Sequence, residues 1–103
     1  MGFTLRFINI MKIEKELVDF GEALRLLKNG KKVSRKGWNG SGMYAYYIPA
    51  NEYPASTEIA KKEFGDKLVP YRAYLALKTA QNDVATWNPS TSDCLAEDWF
   101  VVS

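Results

Sequence analysis

The sequence predicts an α+β protein in which one N-terminal helix packs on a small antiparallel β-sheet of about five strands, with a short helical insertion. Three observations predict it. Phe20, Ala23, Leu24 and Leu27 recur at the spacing of one helix face. Tyr71 to Thr79 alternates between two faces as a strand does. Further short alternating segments are separated by turn chemistry at Asn39-Gly40 and Gln81-Asn82-Asp83. A chain of 103 residues, 47% of them hydrophobic, has room for one modest core and one domain.

Residues 1–18 are expected to be an N-terminal extension, and residues 19–103 a single ligand-binding domain. Met11 offers a second start, and no function is attached to the ten residues before it. Asp19 opens the helix as its N-cap, with Glu22 completing a capping box. Lys28 suits the negative end of the helix, and Gly30 stops it. Lys32 to Lys36 reads as a short strand, and Met43 to Ile48 as the next, with Tyr44, Tyr46 and Ile48 on one face. Pro49 ends that strand. Residues 49–70 carry three prolines and a brief helix, expected over Glu58 to Phe64 with Ser56 as its N-cap and Gly65 as its stop. Such an excursion serves as a lid, an oligomer contact or decoration.

The strand from Tyr71 to Thr79 pairs with Val84 to Trp87 as a hairpin. Pro89 breaks the second of these, Ser90 to Asp93 caps a helical turn ending near Glu97, and Trp99 to Val102 makes a terminal strand.

Lys31 to Gly42, reading Lys-Lys-Val-Ser-Arg-Lys-Gly-Trp-Asn-Gly-Ser-Gly, crowds cations, an indole and three glycines into a dozen residues. Two readings stand side by side. In one, Asn39-Gly40 is a hairpin turn and Trp38 folds back onto the sheet. In the other, the stretch is a site for an anionic ligand with a flat face, guanidinium and ammonium groups meeting phosphate and the indole meeting a base.

Composition narrows the chemistry. With no histidine and a single cysteine, the chain offers no zinc site and no Ser/His or Cys/His nucleophile, so no catalytic residue and no metal ligand is assigned. Fourteen Lys and Arg against twelve Asp and Glu give a net charge of +2, too balanced for general DNA or RNA binding through a broad basic surface. Cys94 cannot form an internal disulfide and suits a reducing compartment. No apolar run is long enough to span a membrane, and the expected location is the cytoplasm. Six tyrosines and three tryptophans exceed what a small core requires, as at an interface or a ligand pocket.

Five segments carry a resemblance. Phe20-Gly-Glu-Ala-Leu24, Gly30-Lys-Lys-Val33, Arg35-Lys-Gly-Trp-Asn-Gly40, Tyr74-Leu-Ala-Leu-Lys78 and Ser90-Thr-Ser-Asp-Cys-Leu-Ala-Glu-Asp-Trp99 resemble the Thoeris anti-defence protein 2 family of phages and prophages. The likeness runs from about Phe20 to Val102, and the third and fifth motifs are specific as a pair. The resemblance implies a non-catalytic sponge that binds glycocyclic ADP-ribose, the signal made by bacterial TIR-domain enzymes, without cleaving it. Some members also bind the cyclic di- or trinucleotides of CBASS defence at a separate site, and the family forms homotetramers. No cofactor is implied.

On that resemblance Trp38 becomes the candidate to stack on adenine, Arg35 and Lys36 to meet phosphate, and Asn39 to read a base edge or a ribose hydroxyl. Ser90, Ser92 and Asp93 match the second motif and are candidates for ribose hydroxyls, against the alternative of a helix cap. Tyr44 joins the set from the tyrosine-bearing face, while Asp98 and Trp99 are expected to hold the terminal strand. Thr91, Ser92 and Cys94 depart from the family's usual glutamine, threonine and methionine, and the first departure bears on ligand choice. A sponge needs slow release rather than transition-state complementarity, which agrees with the absent catalytic inventory. The alternative in another class is a protein-interaction module docking through the Trp38 loop and the tyrosine face. A phosphodiesterase would rest on scattered carboxylates alone.

Overall fold

Asp19 starts the first helix as expected. The computed structural model describes residues 16–103, and within it the Asp19 carboxylate accepts the Glu22 main-chain N–H at 2.9 Å at the head of α1 (Phe20–Lys28). The expected extension over residues 1–18 lies outside the described residues except for its last three. Glu22 turns its side chain to Arg25 one turn on. Gly30 takes a positive φ of 85° just past the C-cap Asn29, where a residue with a Cβ would be strained.

The five-stranded sheet is antiparallel throughout. It contains β1 (Lys32–Arg35), β2 (Tyr44–Ile48), β5 (Tyr74–Lys78), β6 (Val84–Thr86) and β7 (Trp99–Val102), in the order β6-β5-β2-β1-β7. The terminal strand therefore lies beside β1 at one edge, with Val33 opposite Val101 and Arg35 opposite Trp99. Val18 joins the outer side of that edge, exchanging main-chain hydrogen bonds with Trp99 in both directions.

Alternation then decides what each face carries. Val33, Ala45 and Trp99 point toward α1 and are fully buried with its Ala23 and Leu27, while Leu75, Leu77, Trp38 and Trp87 pack around them. Burying Leu27 and Val33 contributes roughly 1.5–3 kcal/mol each. By the strand registers, the face turned away from α1 carries Lys32, Ser34, Tyr44, Tyr46, Lys78 and Phe100.

The excursion contains more order than its prolines suggested. β3 (Asn51–Tyr53) and β4 (Val69–Tyr71) pair as a separate two-stranded sheet, and α2 (Glu58–Phe64) lies between them in the chain. Two corrections follow. Thr57, not Ser56, is the N-cap, its hydroxyl accepting the Ala60 N–H at 3.1 Å. Tyr71 belongs to this small sheet, so the long strand expected from Tyr71 begins at Tyr74. Pro70 is tolerated because each of these strands has only one neighbour. The arm buries little: α2 has no buried residue, and Ile59 is 83% exposed.

The β5–β6 hairpin turns through Asn82 at a φ of 69°, a conformation that asparagine tolerates. α3 (Thr91–Leu95) carries the complete capping box. The Ser90 hydroxyl accepts the Asp93 N–H, and the Asp93 carboxylate accepts the Ser90 N–H, each at 3.0 Å.

Candidate functional site

The candidate site forms around the loop from Lys36 to Met43, which joins β1 to β2. A tight Asn-Gly turn of the primed type would need positive φ at both central residues. Among the described residues, only Gly42 in this loop has a positive φ, 77°, and the connection is eight residues long. Trp38 does fold back toward the core, but from a broad loop.

What fixes the loop is a polar network beneath it. Arg35, at the end of β1, donates through Nε to Asp98 at 2.8 Å and through Nη1 to Asp93 at 3.0 Å. The second Asp98 carboxylate oxygen accepts the Gly37 main-chain N–H at 2.8 Å, and the Asp98 carbonyl accepts the Lys36 N–H at 3.1 Å. Asp93 collects more partners still. Its carboxylate accepts the Trp38 indole N–H at 3.1 Å, and its carbonyl accepts the buried indole N–H of Trp99 at 3.0 Å. Among the described residues no buried side-chain polar atom lacks a partner.

These contacts set the ionisation. The Arg35 guanidinium holds the Asp98 carboxyl below the ordinary carboxylate range, with burial opposing it and the Gly37 N–H adding to it. Burial pushes Asp93 upward, but the Ser90 N–H, the Trp38 indole and Arg35 together outweigh it and keep its pKa low. Arg35 itself is raised, first by its bond to Asp98, against the opposing pull of burial. The cluster is one cation between two anions.

Trp38 meets Trp99 and Trp87 edge to face, with ring centroids 5.3 and 5.9 Å away. It is half-buried and packed against the core while the loop around it faces solvent. Gly37 allows this close fit. A Cβ there would stand 3.1 Å from the Asp98 carboxylate and 3.3 Å from Arg35 Nη2.

On the other side of the loop lies a groove of about 440 Å³, on the sheet face turned away from α1. Ser34, Lys36, Tyr44 and Phe100 are among its walls, and residues 40–43 form its rim. Lys32 Nζ lies 4.8 Å from the Tyr44 ring centroid, and Lys78 Nζ lies 6.0 Å from it.

The expected site residues thus fall into three places. Arg35, Trp38, Asp93 and Ser90 meet in the polar network, where Ser90 and Asp93 also cap α3. Lys36 and Tyr44 line the groove, as does Arg35 from the network, and Asn39 is exposed in the loop. Ser92 is exposed on α3, next to Asp93 in the chain. Sequence reasoning assigned Asp98 to the strand alone and missed that it clamps the loop. It counted Lys32 only among the cations of the Lys31 to Gly42 stretch and passed over Lys78, and the registers Lys32 to Val102 and Tyr44 to Lys78 bring both to one tyrosine. The alternation of each strand was the available signal for that. Among the described residues, no helix is long and apolar enough to cross a membrane, and no three metal-ligating side chains cluster.

Residues 18–102 match the model of the Thoeris anti-defense 2-like domain. The chain is also similar to the protein named Thoeris anti-defense 2 of Bacillus phage SP01, with 37% identity over 89 residues that cover 86% of this chain and 99% of that protein. The match spans every element described above from Val18 to Val102, including the Arg35 to Asn39 loop and the α3 cap that answers it. This chain belongs to the Thoeris anti-defense 2-like family.

Proposed function

We propose that the protein counters Thoeris antiphage defence by binding and sequestering its cyclic nucleotide signal, a glycocyclic ADP-ribose, without turning it over. Family membership supports the anti-defence role, because the phage relative carries that name. The observation that carries the binding role is the braced loop. A half-buried indole, an exposed amide and a groove walled by Lys36 and Tyr44 belong to a loop whose backbone is tied down by Arg35, Asp93 and Asp98. Preorganisation of this kind lowers the ordering cost of binding and slows release, which is what a sponge needs.

In this reading Trp38 offers its open surface to adenine, Asn39 reads a base edge or a ribose hydroxyl, and Lys36 and Tyr44 line the groove that receives the rest of the ligand. Arg35, Ser90 and Asp93 hold that arrangement, and Ser92 borders it from α3. The protein works in the host cytoplasm as a homo-oligomer, expected to be a tetramer from the family resemblance, and needs no cofactor. Cyclic di- or trinucleotides are the next ligands to try.

A second reading, a protein-interaction module, has its own observation. The arm from Asn51 to Tyr71 exposes Tyr53, Ile59, Leu68 and Tyr71, while Val69 is its one buried residue.

Calorimetric titration with glycocyclic ADP-ribose, followed by chromatography of the ligand released on denaturation, tests the proposal. Tight binding and intact recovered ligand support sequestration. A cleaved ligand would make the protein an enzyme, and no binding to any cyclic nucleotide would leave the interaction module.

A further inference from the structure

Arg35 is the residue whose type most suggests phosphate recognition, yet its Nε and Nη1 are committed to Asp98 and Asp93. Turning it toward an anion would strand two carboxylates that the fold keeps ionised. Two lysines that reach the groove residue Tyr44 from outside its lining stand differently. Lys32 from β1 and Lys78 from β5 converge on the Tyr44 ring, with their ammonium groups 4.8 and 6.0 Å from its centroid. Among the described residues, no carboxylate forms an ion pair with either lysine or with Lys36.

Cation–π contact with one ring attracts each ammonium group, but it does not remove the repulsion between them. Lys78 donates to the Gly42 carbonyl at 3.2 Å, which steadies the head group and leaves two of its three N–H donors for a ligand. Gly42 reaches that position through its positive φ. The hydroxyls of Ser34 and Ser41 border the same groove.

We propose that Lys32 and Lys78 form a phosphate seat at the edge of the groove, against its Tyr44 and Gly42, taking a pyrophosphate or phosphodiester group, with Lys36 on the groove wall. Tyr44 is then the post that gathers the two cations rather than a stacking surface. The assignment rests on the sequestration reading only for the identity of the complete ligand. The seat itself follows from two cations, paired with no carboxylate among the described residues, held over one ring beside an open groove.

Inorganic pyrophosphate at low ionic strength is the direct probe, titrated into the wild type, a Lys32→Gln/Lys78→Gln double variant and a Lys61→Gln/Lys62→Gln control on α2. The wild type and the control are expected to show saturable amide shifts at Gly42 and Tyr44. The double variant is expected to bind about tenfold more weakly or worse, with a shallower salt dependence. Equal pyrophosphate affinity in the wild type and the double variant, or shifts confined to Arg35, would overturn the seat. Titration with glycocyclic ADP-ribose separates the two claims. A protein that seats pyrophosphate at these lysines but ignores the nucleotide upholds the seat and refutes the sequestration reading. Nucleotide bound equally by the wild type and the double variant does the reverse.

Discussion

The Arg35 guanidinium donates through Nε to the Asp98 carboxylate at 2.8 Å, joining the end of β1 to a residue 63 positions later in the chain. That single bond places the loop. The Asp98 oxygen that does not hold Arg35 takes the Gly37 N–H, so the turn into Trp38 is fixed from below.

Removing Asp93 is expected to damage the fold more than removing any other residue of the network. Asp93 is 8% exposed, and its carboxylate serves Arg35, Trp38 and Ser90 together. Asp93→Ala should cost about 3–5 kcal/mol, as for loss of one partner from a buried ion pair. Asp98→Ala, in a more exposed place, should cost less. Urea unfolding of the two variants gives the comparison, and equal losses would contradict it.

Acid should loosen the loop before it melts the sheet. Asp93 and Asp98 both have folded pKa values below the ordinary 3.8, so their stabilisation is complete above that value. It is lost as pH falls through the lowered folded values. The Trp38 indole N–H resonance, followed from neutral pH downward, should hold its shift to about pH 4 and move below it. A transition near neutrality would mean that other groups govern the loop.

Trp38 and Asn39 should part company on mutation. Trp38→Ala removes a half-buried ring from a cluster with Trp87 and Trp99, and should cost about 3 kcal/mol or more as well as ligand affinity. Asn39→Ala alters an exposed side chain, so stability should stay within about 0.5 kcal/mol while affinity falls. If nucleotide binding survives Asn39→Ala unchanged, the exposed amide is not a contact.

Gly40 should resist even alanine. A Cβ there would lie 2.8 Å from the Ala80 Cβ, which cannot turn aside, and 2.7 Å from the Met43 sulfur, which can. The loop must shift, at a cost of roughly 1–3 kcal/mol. Thermal melting should show Gly40→Ala well below the wild type, and an unchanged midpoint would refute this packing.

The arm should tolerate polar change. Ile59→Ser at an 83% exposed position should leave the melting temperature within a degree or so while removing an apolar contact from any docking surface. Loss of a binding partner without loss of nucleotide affinity would favour the interaction reading.

The helix, its cap at Asp19, the stop at Gly30, the β5–β6 turn and the Ser90 to Asp93 capping box could be read from the sequence, because each depends on residues within a few positions of one another. The same holds for the family, whose two motifs are contiguous in the chain. The small β3–β4 sheet was missed because its strands of three residues are joined only by pairing across Pro54 to Leu68, which no local pattern records. The site divides in the same way. Sequence named Arg35, Trp38, Asn39 and Asp93 as candidates for one site. Only the tertiary structure decided that Arg35 is spent on two carboxylates and that Lys32 and Lys78 share a tyrosine. Ion pairs and cation–π contacts depend on distances set by strand register and order. In this sheet the register brings the last strand beside the first, across more than sixty residues of chain.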